Sequence, residues 1–214
     1  MSGTEYWTFE TAESAGSFDD HVKTQLPWYN LVTGYVTGLV ENYLPTGGTL
    51  YDVGASTGNI TTACKSLITE RDAVAISIEQ SSAMCEIWDG VGILQQADAS
   101  RYEYEEFDVA VVFLTAMFMT VSQRHEFIQR LRHAGKLGSV IILVDKFCDL
   151  NGYEGTVLRR LTMKEKMKCG QTAEEVIRKD LSLAGVQRPM TIDELGGATQ
   201  FFQMGEFRGY LLPL

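Results

Sequence analysis

Apolar positions change period several times along the chain. Between residues 19 and 44 they recur three and four apart. Leu31, Val32, Tyr35, Val36, Leu39, Val40, Tyr43 and Leu44 form a helical stripe, interrupted at Pro27 and ended by Pro45-Thr46-Gly47-Gly48. Thr49–Val53 then reads as a short strand running directly into Gly54-Ala55-Ser56-Thr57-Gly58, and a helix is predicted from about Asn59 to Thr69. A second strand covers Ala73–Glu79, with a helix after Ser81-Ser82. Gly92–Gln96 is a third strand and Phe107–Phe113 a fourth. A helix over 123–135 follows Ser122 as N-cap, and Gly138 turns the chain into a fifth strand, Val140–Asp145. The unbroken apolar runs of the fourth and fifth strands suit a parallel sheet covered on both faces.

The stretch 150–188 is charged and helical, with Thr172 and Glu175 placed as a capping box before Val176, Ile177 and Leu181. Ala198–Gln203 and Arg208–Leu212 read as two strands joined through Met204-Gly205-Glu206-Phe207. The pattern predicts one α/β domain over 1–214. Its fold is a Rossmann-like, doubly wound, mostly parallel seven-stranded sheet with an antiparallel C-terminal hairpin. An N-terminal helical segment would cover 1–46, and the helical insert at about 150–188 would serve as a lid.

Composition narrows the function. The 214 residues carry a formal net charge of −10, and nucleic-acid binders ordinarily need a basic surface. Nucleic acid is therefore not the expected main partner, although Arg159, Arg160, Lys164, Lys166 and Lys168 cluster locally. No apolar run reaches the roughly 18 residues that span a bilayer. Met1–Asp20 is acidic, unlike a secretory signal. A cytoplasmic protein with a small-molecule substrate is expected. The cysteines (Cys64, Cys85, Cys148, Cys169) and histidines (His21, His125, His133) are too few and too scattered to predict a metal site or a disulfide framework.

The chemistry concentrates at the strand tips. Leu50-Tyr51-Asp52-Val53-Gly54-Ala55-Ser56-Thr57-Gly58 sets an acidic residue on the first strand before a glycine-rich turn into a helix. Glycine lets the backbone turn tightly and approach a ligand closely, and open α/β sheets bind ligands at this carboxyl edge. The bland alternative is a loop whose glycines serve the turn alone. Glu79, at the tip of the second strand, can accept from both ribose hydroxyls of a nucleoside, or it can be a plain surface carboxylate. Asp98, just past the third strand, can accept from an adenine amino group or simply form a turn. Met84 and Trp88 can wall a nucleoside or belong to the core.

A dinucleotide-binding loop needs G-x-G-x-x-G. Here Ser56 stands between Gly54 and Gly58, and there is no GxxxxGK[ST] loop. The Asp-x-Gly-x-x-x-Gly form resembles motif I of class I methyltransferases, which implies S-adenosylmethionine (SAM) as cofactor, or S-adenosylhomocysteine as its product. No proline is doubled and none follows a cysteine, so the Pro-Pro-aromatic motif of amino-group methyltransferases and the Cys-Pro nucleophile of cytosine-C5 enzymes are both missing. After the fourth strand stands Thr115-Ala116-Met117-Phe118-Met119, a neutral wall without a general base. No catalytic residue is assigned.

Several short segments, in order from about Phe18 to Leu212, resemble the carboxy-S-adenosylmethionine synthase family, whose members modify SAM with prephenate. They are Phe18-Asp19-Asp20-His21-Val22, Pro27-Trp28-Tyr29, Tyr51-Asp52-Val53-Gly54-Ala55-Ser56, Ser81-Ser82-Ala83-Met84, Asp145-Lys146-Phe147 and Phe202-Gln203-Met204-Gly205-Glu206-Phe207. The resemblance implies a ligand contact from Tyr29. It puts Glu79-Gln80 at the ribose edge, where the family has Asp-Asn, and Phe113 where the family has Asn. The family's carboxylate-holding Arg aligns with Asp180, whose charge would repel a carboxylate. A small register shift gives the role to Arg178 or Lys179.

The expected cofactor-binding residues are therefore Tyr29, Asp52, Gly54, Ala55, Ser56, Gly58, Glu79, Gln80, Asp98, Ala99 and Phe113. Arg178 and Lys179 are substrate candidates. Three functions stay open: methyl transfer from SAM to a small or single-residue acceptor, carboxy-SAM synthesis, and non-catalytic SAM binding by a regulator. Val157, Leu158, Leu161 and Met163 are candidates for a homodimer interface or for core.

Overall fold

The computed structural model describes residues 18–148 and 152–214, and side chains from residue 22 onward. Helices α1 (Phe18–Gln25) and α2 (Tyr29–Tyr43) are separated at Pro27. A seven-stranded sheet follows: β1 (Thr49–Val53), β2 (Val74–Glu79), β3 (Ile93–Gln96), β4 (Phe107–Phe113), β5 (Gly135–Lys146), β6 (Thr199–Met204) and β7 (Phe207–Pro213). Its order is β3-β2-β1-β4-β5-β7-β6, with β7 antiparallel to both β5 and β6. The other pairings are parallel. The intervening helices are α3 (Asn59–Ala63), α4 (Lys65–Glu70), α5 (Ser82–Glu86) and α6 (Val121–Ala134). Two more, α7 (Gly152–Lys168) and α8 (Ala173–Ser182), form the insert.

The apolar run of β4 serves both faces because side chains alternate along a strand. Val109, Val111 and Phe113 pack with Val32, Val36 and Val40 of α2. Ala110 and Val112 pack with Phe127, Ile128 and Leu131 of α6. Two cores result, one on each side of the sheet. The stripe of α2 is narrower than its sequence spacing suggests. Val32, Val36 and Val40 are buried, whereas Leu31 and Tyr35 are 64% and 61% exposed. The sheet covers only one side of that helix.

Several boundaries differ from expectation. The helix predicted over 59–69 is two helices, broken at Cys64, where φ −90° and ψ 3° leave the α region. The N-cap of α6 is Thr120 rather than Ser122. The Thr120 hydroxyl accepts from Gln123 N–H, and the Gln123 side chain accepts from Thr120 N–H, closing a capping box. β5 begins at Gly135, ahead of the Gly138 turn. The capping box at Thr172 and Glu175 is formed as the sequence predicts. No described helix is long and apolar enough to cross a membrane.

Candidate active site

The carboxyl tips of β1, β2, β3 and β4 surround a cavity open to solvent, the edge where open α/β sheets bind ligands. Gly54 leaves β1 with φ +72°. A Cβ there would stand 2.2 Å from Thr115 Oγ1, so only glycine fits. Thr115 Oγ1 in turn donates to Val53 O at 3.0 Å, tying the exits of β1 and β4 together. Gly54 and Ala55 N–H both donate to Ile78 O, at 2.8 and 3.0 Å. Ser56 is also left-handed, with φ +50°, and its N–H donates to Glu79 Oε2 at 2.8 Å. Glu79 Oε1 accepts from Ser81 N–H at 2.8 Å. The glycine turn and the tip of β2 thus fix one another.

Asp52 is buried at the back of the cavity. Its Oδ2 has no hydrogen-bond partner among the described residues. Burial pushes its carboxyl up to about 7, opposed by the Thr61 N–H and assisted by the Glu79 charge. Asp98 Oδ1 accepts from Ser100 N–H and Oγ, at 2.9 and 2.7 Å, in a tight side-chain turn. On the β4 side Tyr29 meets Phe113 edge-on, ring centroids 5.3 Å apart. Leu114 holds a left-handed φ of +56° and donates its N–H to Val144 O at 2.7 Å. Phe118 and Met119 continue this wall.

The cavity brings together Tyr29, Asp52, Gly54, Ala55, Ser56, Glu79, Gln80, Asp98, Ala99 and Phe113. Gly58 does not line it. A Cβ on Gly58 would stand 2.6 Å from Gly90 Cα, so this glycine serves packing between the helix start and the 88–90 loop. Trp88 packs there too, while Met84 faces the cavity. Arg178 and Lys179 lie on α8, away from the cavity lining. Arg178 pairs with Glu174 on the surface. Lys179 is half-buried and its ammonium is lowered to about 8, by burial and then by Lys166. Asp180 is taken up by Arg159.

Leu114 and Gln123 also line the cavity and carry no sequence signal. The support behind the wall has a sequence signal only at Asp145-Lys146-Phe147. Asp145, wholly buried, accepts from Met117 N–H at 3.2 Å and from Lys146 N–H at 2.8 Å. Burial raises its carboxyl to about 7 despite these donors. Met117 O accepts from Arg188 N–H at 2.6 Å. The buried Arg124 forks onto Glu194, at 2.7 and 3.0 Å, and also donates to Arg188 O.

The fold is similar to that of several solved methyltransferases. It matches human N-acetylserotonin methyltransferase, solved with SAM, at a TM-score of 0.60 and 11% identity, covering 95% of this chain and 56% of that one. It also matches the plantazolicin methyltransferase BpumL, solved with a substrate analogue and S-adenosylhomocysteine, at 0.59 and 15%, covering 86% and 66%. The chain thus spans less than two thirds of either protein. No known family profile matches it. By sequence it is similar to carboxy-S-adenosyl-L-methionine synthases. The Staphylococcus epidermidis protein is 25% identical over 194 residues, covering 88% of this chain and 84% of that protein. The Pseudomonas putida KT2440 protein is 25% identical over 189 residues, covering 82% and 76%.

Proposed function

We propose that the cavity binds SAM and that the protein transfers its methyl group to a small acceptor. The carrying observation is the convergence of Asp52, Glu79 and Asp98 around a turn where Gly54 admits no side chain. Glu79 and Asp98 suit a ribose and an adenine edge. The orphaned Oδ2 of Asp52 suits an ammonium or a cationic centre. Bound there, SAM supplies a methyl on an electron-poor sulfonium. The chain then has to hold an acceptor in line and keep water out, which is where much of the rate can arise. The β4-side wall of Phe113, Leu114, Phe118 and Met119 serves both ends.

Sequence similarity to carboxy-SAM synthases favours a second reading, in which SAM itself is carboxylated. Calorimetry with SAM and with S-adenosylhomocysteine tests the shared part. Saturable binding of both is expected, and its loss in Gly54→Val. No heat with either ligand overturns the assignment. Native mass spectrometry of the freshly purified protein then separates the readings, since a bound ligand heavier than SAM by one carboxylate supports synthesis.

A further inference from the structure

We infer that the second substrate, the molecule that shares the cavity with SAM, is an uncharged compound with an apolar body, and that the β4-side wall rejects anions. The inference rests on the SAM reading above and deepens it.

The cavity is lined by three carboxylates, Asp52, Glu79 and Asp98, and by no Lys, Arg or His among the described residues. Residues 1–21 and 149–151 contain no Lys or Arg, so every such cation of the chain has a described side chain. Cations behind the wall are committed elsewhere. Lys146 Nζ donates to Gln187 Oε1 at 3.0 Å and lies 3.9 Å from Glu206. Arg124 is spent on Glu194 and Arg188 O. An anionic substrate entering here would lose water and meet no cationic side chain among the described residues, with only the sulfonium of bound SAM to offset three acids.

The wall itself is largely apolar and held in place. The apolar residues Phe113, Leu114, Phe118 and Met119 line this side, beside Tyr29. Leu114 is held in a backbone region that disfavours any side chain, and Thr115 and Val144 fix the backbone around it. A glycine or an asparagine would relax that position. A leucine there puts a branched hydrocarbon beside the ligand space at the expense of local strain. Gln123 is a polar residue of the lining, and its carbonyl is occupied by the Thr120 N–H and hydroxyl.

The test uses the full chain, first saturated with S-adenosylhomocysteine after SAM binding has been established by calorimetry. Matched probes are then titrated: 4-methylphenol against 4-hydroxybenzoate, with prephenate as a dianion. The neutral probe is expected to bind at least about tenfold more tightly than its carboxylated counterpart. Leu114→Arg is expected to reverse that order, with circular dichroism confirming the fold. Gln123→Arg provides a second cation on the same side should Leu114→Arg not fold. Carboxylated probes binding the unaltered protein as tightly as neutral ones, prephenate consumption in the presence of SAM, or no binding by the neutral probe overturns the inference while leaving the SAM site intact. Absence of SAM binding removes both.

Discussion

The two sides of the cavity are built by different means. On the β1–β3 side, polar groups are fixed by backbone donors of the turns at the strand tips: Glu79 by Ser81 two residues on and by Ser56 of the glycine turn, Asp98 by Ser100. On the β4 side, apolar groups are fixed from behind by partners distant in the chain. Asp145 holds Met117, and Arg124 reaches 64 and 70 residues to Arg188 and Glu194. The first side depends on the chemistry of the turns that leave β1, β2 and β3. The second depends on the C-terminal segment, which leaves the helical insert and crosses behind the wall before entering the hairpin.

The difference is broken most severely at Arg124. Its guanidinium is 2% exposed, and removing it takes the donor from Arg188 O and leaves the Glu194 carboxylate with Thr191 but no positive partner. Arg124→Met is expected to lose roughly 3–5 kcal/mol of stability, the range for breaking one partner of a buried ion pair. Urea unfolding measures it. Arg124→Met combined with Glu194→Leu should recover much of the loss, because no buried charge is then stranded. Equal losses in the single and double variants would show that the pair is not what holds the segment.

Gly54 sits at the seam. Gly54→Ala adds a methyl 2.2 Å from Thr115 Oγ1 at a φ of +72°. A cost of about 2–4 kcal/mol, from strain and overpacking together, is expected in thermal unfolding, along with loss of SAM binding. Gly138→Ala is the control. Its φ is +86° but nothing lies within 4 Å of the added methyl. It should show only the conformational part, about 1–2 kcal/mol. Similar losses at the two sites would remove the steric part of the argument.

What the sequence shows of this site follows the same division. Asp52, Gly54, Glu79 and Asp98 were readable because each sits at a strand tip whose limits follow from an apolar run and a turn residue. Parallel strands starting in register bring such tips to one edge. Gly58 carried the same motif signal but packs on Gly90. A glycine needed for a turn and one needed for helix packing look alike in sequence. Arg178 and Lys179 sit in the helical insert, where periodicity fixes a helix but not the face it turns to the sheet. Arg124 and Glu194 could not be read at all, since a buried ion pair 70 residues apart has no local pattern. The left-handed Leu114 was equally hidden, because its backbone goes against the residue's own preference.

Smaller effects separate the polar groups of the β1–β3 side. Glu79→Gln keeps the shape but removes the charge and one acceptor, since an amide N–H₂ replaces an oxygen facing Ser56 or Ser81. SAM affinity should fall by about tenfold to a hundredfold, the worth of a charge-assisted bond, as calorimetry would show. Asp52 adds a pH dependence. Its carboxyl lies at about 7 in the folded protein, raised by burial from an ordinary 3.8. A group raised on folding holds its proton longer in the native state, so this residue's contribution to stability is fullest below about pH 4 and declines as pH rises toward 7. Binding of a cationic ligand runs the other way. SAM affinity should climb by up to about tenfold per pH unit below 7 and level off above it. Asp52→Asn should flatten the profile. An unchanged slope in that variant would move the titrating group elsewhere.

The smallest expected effect belongs outside both sides. Arg178 forms an i, i+4 pair with Glu174, and the two side chains are 73% and 79% exposed. Water screens such a pair, so Arg178→Ala should change stability by no more than about 0.5 kcal/mol. SAM affinity should stay unchanged, because Arg178 does not line the cavity. The resemblance to carboxy-SAM synthases makes this variant more than a control. If Arg178 swung in to hold a carboxylate, its removal would weaken carboxy-SAM binding specifically while sparing SAM. Equal affinities for both ligands before and after the substitution would leave the insert as scaffolding, and would leave discrimination to the apolar wall. A tenfold loss confined to carboxy-SAM would place a cation in the cavity that the described arrangement does not contain, and the contrast between an acidic side and a neutral side would have to be redrawn.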